Sequence, residues 1–152
     1  METLNLPEHP LKTRILAKGK TEVFDEFRKK YVVLTPEEWV RQQFLWYLVD
    51  LKNYPASLIA VEKGLTLNRL KKRFDAVVYN NRGLPAMLIE FKSADIKSEQ
   101  NVFDQIAVYN LQLRVKYLII TNGLQHYCCM MDYKKKQYQF LKETPFFNEL
   151  TD

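Results

Sequence analysis

Glycine is scarce in this sequence, with four in 152 residues, and cysteine and histidine occur only twice each. So few glycines exclude a collagen-like or low-complexity chain, and two cysteines cannot build a disulfide scaffold. Cys128 and Cys129 are adjacent, and neighbours in a strand face opposite ways, so they are expected to be one core and one surface thiol of a reducing compartment, not a disulfide or a shared metal site. His9 and His126 stand alone, without zinc-ligand spacing, and His126 reads as a strand residue beside Tyr127. No serine sits in a nucleophile elbow. No apolar run approaches the ~20 residues that span a bilayer, and Met1 to Arg14 lacks the apolar stretch of a secretory signal. The expected location is cytoplasmic.

What is present is an ordinary globular composition, 47% hydrophobic and 27% charged. That length and composition suit one core. The formal charge of +5 is unevenly placed. Between Lys63 and Arg82 lie Arg69, Lys71, Lys72 and Arg73 against the single acid Asp75, and Lys134, Lys135 and Lys136 adjoin Tyr133. Clustered cations attract polyphosphates by releasing condensed counterions, although a lysine triplet is also an ordinary solvated turn.

Residues 1–34 have weak periodicity and read as an N-terminal arm or extension, with Glu22 to Tyr31 a short helix or part of the arm. Thr35-Pro36-Glu37-Glu38 then marks a helix start, with Thr as N-cap, Pro at the first position and Glu at the third. The helix is predicted to run to about Lys52, burying Val40, Phe44, Tyr47, Leu48 and Leu51, with Trp39 and Trp46 widening the stripe. Extended segments follow at Ser57–Lys63, Leu70–Tyr79 and Ala86–Lys92, with a turn at Asn80–Gly83. Ser98–Leu113 reads as a second helix, Val115–Thr121 as a buried strand, and Leu124–Met131 with Gln137–Leu141 as a closing hairpin. The order predicts a mixed α/β sheet flanked by helices, with a right-handed crossover joining two parallel strands. The main domain is expected over 35–145 and a tail over 146–152.

Chemistry concentrates in Arg73-Phe74-Asp75 and Glu90-Phe91-Lys92. Period two puts Glu90 and Lys92 on one strand face. A turn centred on Arg82 and Gly83 pairs Tyr79 with Ala86 and brings Asp75 opposite Glu90. Two carboxylates so close repel each other unless a cation lies between them. Mg²⁺ suits such a pair, being held by one or two carboxylates plus waters and phosphate oxygens, with Mn²⁺ a substitute. Lys92 on the same face can orient or deprotonate a water. The same triplet could instead be a cross-strand salt bridge on a solvated face. Against that, Ala76-Val77-Val78 and Met87-Leu88-Ile89 are continuously apolar, as in strands covered on both sides.

From Thr35 to about Cys128 the sequence resembles the N-terminal family of type I restriction enzyme R subunits, within the PD-(D/E)xK nuclease superfamily. The resembling residues are Pro36 to Arg41, Val61-Glu62-Lys63, Arg73 to Val78, Pro85 through Ile89 to Lys92, Asp104-Gln105, Tyr109-Asn110 and Thr121-Asn122-Gly123. The resemblance implies a restriction-endonuclease-like core of helix, three strands, helix and strand, to which the C-terminal hairpin is added. It implies Mg²⁺-dependent endonuclease activity on DNA, with Asp75 and Glu90 as metal ligands and Lys92 completing the catalytic set. It also implies that Gln105 and Tyr109 form a Gln-x-x-x-Tyr element that positions DNA, and that a helix-one glutamate, Glu38 rather than Glu37, lies near the metal. Lys71, Lys72 and Arg73 are the neighbouring candidates for DNA contact. Phe74 stands where the superfamily has its proline. The R subunits continue into an ATP-driven translocase, whereas these 152 residues contain no phosphate loop. The expectation is that targeting comes from a protein partner, a homo-oligomer or a feature of the DNA. A catalytically silent nucleic-acid or protein-binding module of the same fold is the alternative, and an unrelated α/β interaction domain a third.

Overall fold

The computed structural model describes residues 1–67, 70–93 and 114–150. The predicted helix over 98–113, and with it Gln105 and Tyr109, lies outside the described residues. Two sheets are present among those described. A three-stranded antiparallel sheet is made by β1 (Thr13–Ile15), β2 (Thr21–Asp25) and β3 (Lys30–Val33). A six-stranded mixed sheet runs in the order β4 (Ile59–Leu67), β5 (Leu70–Tyr79), β6 (Pro85–Phe91), β7 (Tyr117–Thr121), β8 (His126–Asp132) and β9 (Gln137–Leu141). Among the described strands only β6 and β7 pair in parallel, so the mixed α/β class and the parallel pair read from the sequence are found.

The helix α1 spans Pro36–Lys52, and the Thr35 hydroxyl accepts from the Glu38 N–H at 3.0 Å. One half of the expected capping box is thereby made. The other half is not, because the Glu38 carboxylate turns inward to arginine partners. Asn53, in the left-handed region, closes the helix, its N–H returning to the carbonyl of Leu48. Val40, Phe44 and Leu48 are fully buried as the stripe predicts, but Leu51 is 49% exposed, on the outer side of a last turn whose buried residues are Leu48 and Lys52.

The central strands are covered on both sides, as their continuous apolar runs require. Ala76, Val78, Met87, Ile89 and Phe91 pack with Val40, Phe44 and Leu48 of α1, while Val77, Leu88, Leu118 and Ile120 form a second cluster on the opposite face. The adjacent cysteines divide between them, Cys128 to the first and Cys129 to the second. Neither is a surface thiol: both are buried and free, and burial pushes each thiol up to about 12. Such thiols are inert at neutral pH.

The stretch Glu22–Tyr31 is a β-turn-β segment and contains no helix. Its turn is nucleated by Asp25, whose carboxylate accepts from the Phe27 N–H at 2.8 Å, with Lys29 at φ 57°. Such local carboxylate bonding competes with helix formation. The segment before β1 lies along α1: Gln43 exchanges hydrogen bonds with the backbone of His9, and the His9 ring stacks on Trp46 at 4.2 Å. Gly123, at φ +87°, admits this segment, because a Cβ there would stand 2.7 Å from Leu4.

Phe44 joins α1 to Phe91 and His126, with ring centroids 6.0 and 5.4 Å away. Replacement by alanine would leave a cavity at the centre of the larger core. Phe44→Ala is expected to lower unfolding free energy by about 3–5 kcal/mol in urea titration; a loss under about 1 kcal/mol would show that this core does not hold helix to sheet.

Candidate active site

The β5–β6 ladder pairs Ala76 with Ile89, Val77 with Leu88 and Val78 with Met87. A register shift between Val78 and Tyr79 then places Tyr79 against Pro85, where the sequence suggested Ala86. The bulge absorbs one residue at the turn and leaves the inner register as expected. One step beyond Ala76 and Ile89, the same register sets Asp75 opposite Glu90. At that step the Asp75 Oδ2 accepts the Phe91 N–H at 2.8 Å. A carboxylate thus substitutes for a strand carbonyl just where the paired ladder gives out.

The three triplet residues are half-buried, unlike fully solvated surface charges. Phe91 and Ile89 face α1, so alternation places Glu90 and Lys92 on the other side with Leu88. The Lys92 N–H donates to the Thr121 carbonyl at 2.9 Å, tying this end of β6 to β7. The positions of Asp75, Glu90 and Lys92 are therefore set by backbone pairing from both neighbouring strands.

On the α1 side of the same strand end, across the sheet from Glu90 and Lys92, lies a charge cluster that no single segment of sequence announces. Glu38 is 5% exposed, and both of its oxygens are taken. Oε1 accepts from Arg28 at 2.7 Å and Arg41 at 2.6 Å, and Oε2 from Gln42 at 2.9 Å. Arg28 also bonds the fully buried Asp25 and lies 3.4 Å from Glu62. Burial works against the Arg28 charge, but bonding to Asp25 and Glu38 outweighs it and holds the guanidinium above its ordinary pKa. Glu37, by contrast, is exposed and only reaches Arg41 at 3.4 Å. Glu38, not Glu37, is thus the inward residue of the pair, and it is bound by protein partners.

Two contacts connect this cluster to the triplet. The Arg41 guanidinium lies over the Phe91 ring at 5.9 Å, and the N–H of Phe91 holds Asp75. Glu62 falls opposite Asp75 in the β4–β5 register, between the pairs Val61–Ala76 and Lys63–Phe74, with φ at 54°. Its carboxylate bonds Arg73 at 3.0 Å, so Arg73, although exposed, is already paired. Lys71 is exposed on β5, and the Lys72 side chain lies outside the described residues.

A hard divalent cation fits the donors present. Asp75 and Glu90 are both carboxylates, and the Asp75 Oδ2 accepts the Phe91 N–H. Among the described residues no group of three or more His, Cys, Asp and Glu side chains gathers around one point. Mg²⁺ keeps most of its waters and needs only one or two protein carboxylates. His126 is no competitor: its Nε2–H donates to the Asn5 carbonyl at 3.1 Å and its Nδ1 takes the Thr121 hydroxyl at 2.6 Å.

Residues 36–145 match the family model described as the N terminus of type I restriction enzyme R proteins. Among solved structures, the chain is similar to a fragment described as an HsdR subunit of a type I restriction enzyme from Vibrio vulnificus YJ016, with a TM-score of 0.53 and 20% identity. That match covers 77% of this chain and 24% of the other, so this chain spans about a quarter of the relative's length. The likeness in structure is one of fold. Comparison with curated proteins gives no match.

Two outcomes test the site's framework. Glu38→Gln leaves the buried Arg41 and the largely buried Arg28 short of a carboxylate, and unfolding free energy is expected to fall by about 3 kcal/mol in urea; a change under about 1 kcal/mol would make the cluster incidental. Burial holds the His126 imidazole below its ordinary 6.5, against the raising effect of its bond to Asn5. Its contribution to stability is therefore complete above pH 6.5 and is lost as pH falls toward the lower folded value. Thermal unfolding of wild type and His126→Asn should diverge less at about pH 5.5 than at about pH 7.5, and a gap that widens on acidification would contradict the assignment.

Proposed function

Because the chain belongs to the family of type I restriction enzyme R protein N termini, we propose that it is a nuclease domain that hydrolyses DNA phosphodiesters with Mg²⁺. The observation that carries this reading is the placement of Asp75 at the end of the β5–β6 ladder, opposite Glu90 and hydrogen-bonded to Phe91 between Glu90 and Lys92. Asp75 and Glu90 would hold the cation, and Mn²⁺ would serve in its place. Bound there, the ion supplies Lewis acidity to the scissile phosphate and a lowered pKa to water.

The chain's own groups do the rest. Lys92 orients the attacking water, takes or relays its proton, and offsets charge accumulating on phosphorus oxygens. The Phe91 N–H keeps the Asp75 carboxylate aimed at the strand end. Glu38 acts from the α1 side of β6 through Arg41 and Phe91 as a positioning residue, a role that leaves its oxygens engaged. Lys71 and Arg73 border the β4–β5 side of the site, where they contact the DNA backbone; Gln105 and Tyr109 complete the substrate contacts. Targeting falls to a protein partner or to further copies of the chain.

One observation favours a second reading, a silent DNA-binding module: the two arginines on Glu38 already neutralise the negative charge that a metal would seek. Incubation of the protein with supercoiled plasmid and Mg²⁺ or Mn²⁺ separates them. Nicking or linearisation is expected, reduced by about 100-fold or more in Asp75→Ala and Lys92→Ala. Plasmid bound but uncut by the wild type would support the silent module, and cleavage surviving Asp75→Ala would place the chemistry elsewhere.

A further inference from the structure

The N-terminal sheet lies before the stretch that matches the family, and its charge is unlike that of the rest. Lys12 to Lys30 carries seven basic side chains against three acidic ones, most of the chain's formal +5. The two ends of this sheet differ. At the β2–β3 end, Asp25 and Arg28 are locked to the buried Glu38, and Arg28 also reaches the exposed Glu62, which falls opposite Asp75 in the β4–β5 register. At the other end, every residue from Lys12 to Lys20 is exposed.

The free end is nonetheless ordered. The Leu16 N–H donates to the Lys20 carbonyl at 2.8 Å and the Gly19 N–H to the Leu16 carbonyl at 2.9 Å, with Gly19 at φ +75° supplying the reversal. Arg14 is held over the Tyr31 ring at 3.7 Å and bridged to Glu22 at 2.7 Å. Lys18 and Lys20 form no ion pair among the described residues, and between the cations Ile15 is 77% exposed and Leu16 38%. A hydrogen-bonded hairpin with apolar residues between a paired arginine and two exposed lysines has the composition of arms that grip duplex DNA, where cations meet phosphates and an aliphatic side chain enters a groove.

We propose that the β1–β2 hairpin is a second duplex-DNA contact, rooted at the candidate active site through Arg28 and reaching along the substrate about 17 Å from that anchor, the span of five extended residues. Lys18 and Lys20 contact backbone phosphates, Arg14 stands ready beside them, and Ile15 rests in the groove. This inference rests on the reading of the chain as a DNA-acting domain and adds a surface outside the triplet.

Fluorescence anisotropy with a 30-base-pair duplex over a salt series tests it, using the full chain carrying Asp75→Ala to prevent cutting. Adding Lys18→Ala and Lys20→Ala should flatten the slope of log K against log salt by about 1.8, two lost phosphate contacts. Adding Ile15→Ser instead should weaken binding several-fold with the slope unchanged. All three side chains are exposed, so thermal melts should coincide. Firm binding by the parent with an unaltered slope in the lysine variant would overturn the arm and leave the nuclease reading standing. No binding by the parent at any salt would remove both. A dimer that Ile15→Ser dissolves in size-exclusion chromatography, with DNA affinity unchanged, would overturn the proposal in favour of contact with a second copy.

Discussion

The hydrogen bond from the Phe91 N–H to the Asp75 carboxylate is the point on which the site depends. A strand that ends its pairing must satisfy the backbone group it leaves behind, and an acid one step past the last pair does so while remaining at the sheet's end. This bond costs Asp75 part of its freedom. In return it fixes a carboxylate opposite Glu90, at a place set by pairing on both sides of β6. No separate loop has to order itself to bring these acids together.

Support for that arrangement comes from an interior unusually rich in charge. Glu38, Arg41 and Asp25 are buried, and Arg28 nearly so. Each would be prohibitive alone, and each is tolerable because its partners are carboxylate and guanidinium groups at bonding distance. Buried pairs of this kind add little net stability compared with apolar packing, but they tolerate little displacement. The cluster therefore acts as a spacer of defined geometry between α1, the β2–β3 turn and β4, with the Phe91 ring beneath Arg41. Two polar atoms within it, Arg41 Nε and Gln42 Oε1, are buried and have no hydrogen-bond partner among the described residues.

Much of this was legible in the residues. Thr35-Pro36 fixed the start of α1, and the apolar runs on either side of Asn80–Gly83 identified two strands covered on both faces. The Asp75–Glu90 register could be read because period two leaves few choices once a turn is located. The bulge at Val78–Tyr79 could not, since the turn accommodates either count. Nor could the engagement of Glu38, because Arg28 lies ten residues upstream and meets it only after the β2–β3 turn forms. The N-terminal sheet was missed for a related reason: its strands are short, carry Arg, Glu and Lys among their apolar residues, and owe their turn to one aspartate bond. One of Cys128 and Cys129 was expected at the surface because alternation in a sheet with one wet face exposes every second residue, whereas β8 is covered on both faces.

At the centre of the account is the claim that Asp75 and Glu90 jointly bind a divalent cation. Calorimetric titration of the DNA-free protein with Mn²⁺ addresses it without reference to cleavage. The account predicts one saturable site that disappears in Asp75→Asn and in Glu90→Gln and survives in a folded His126→Asn control. Mn²⁺ binding that is indifferent to both acid substitutions, or absent from the folded wild type, would contradict it.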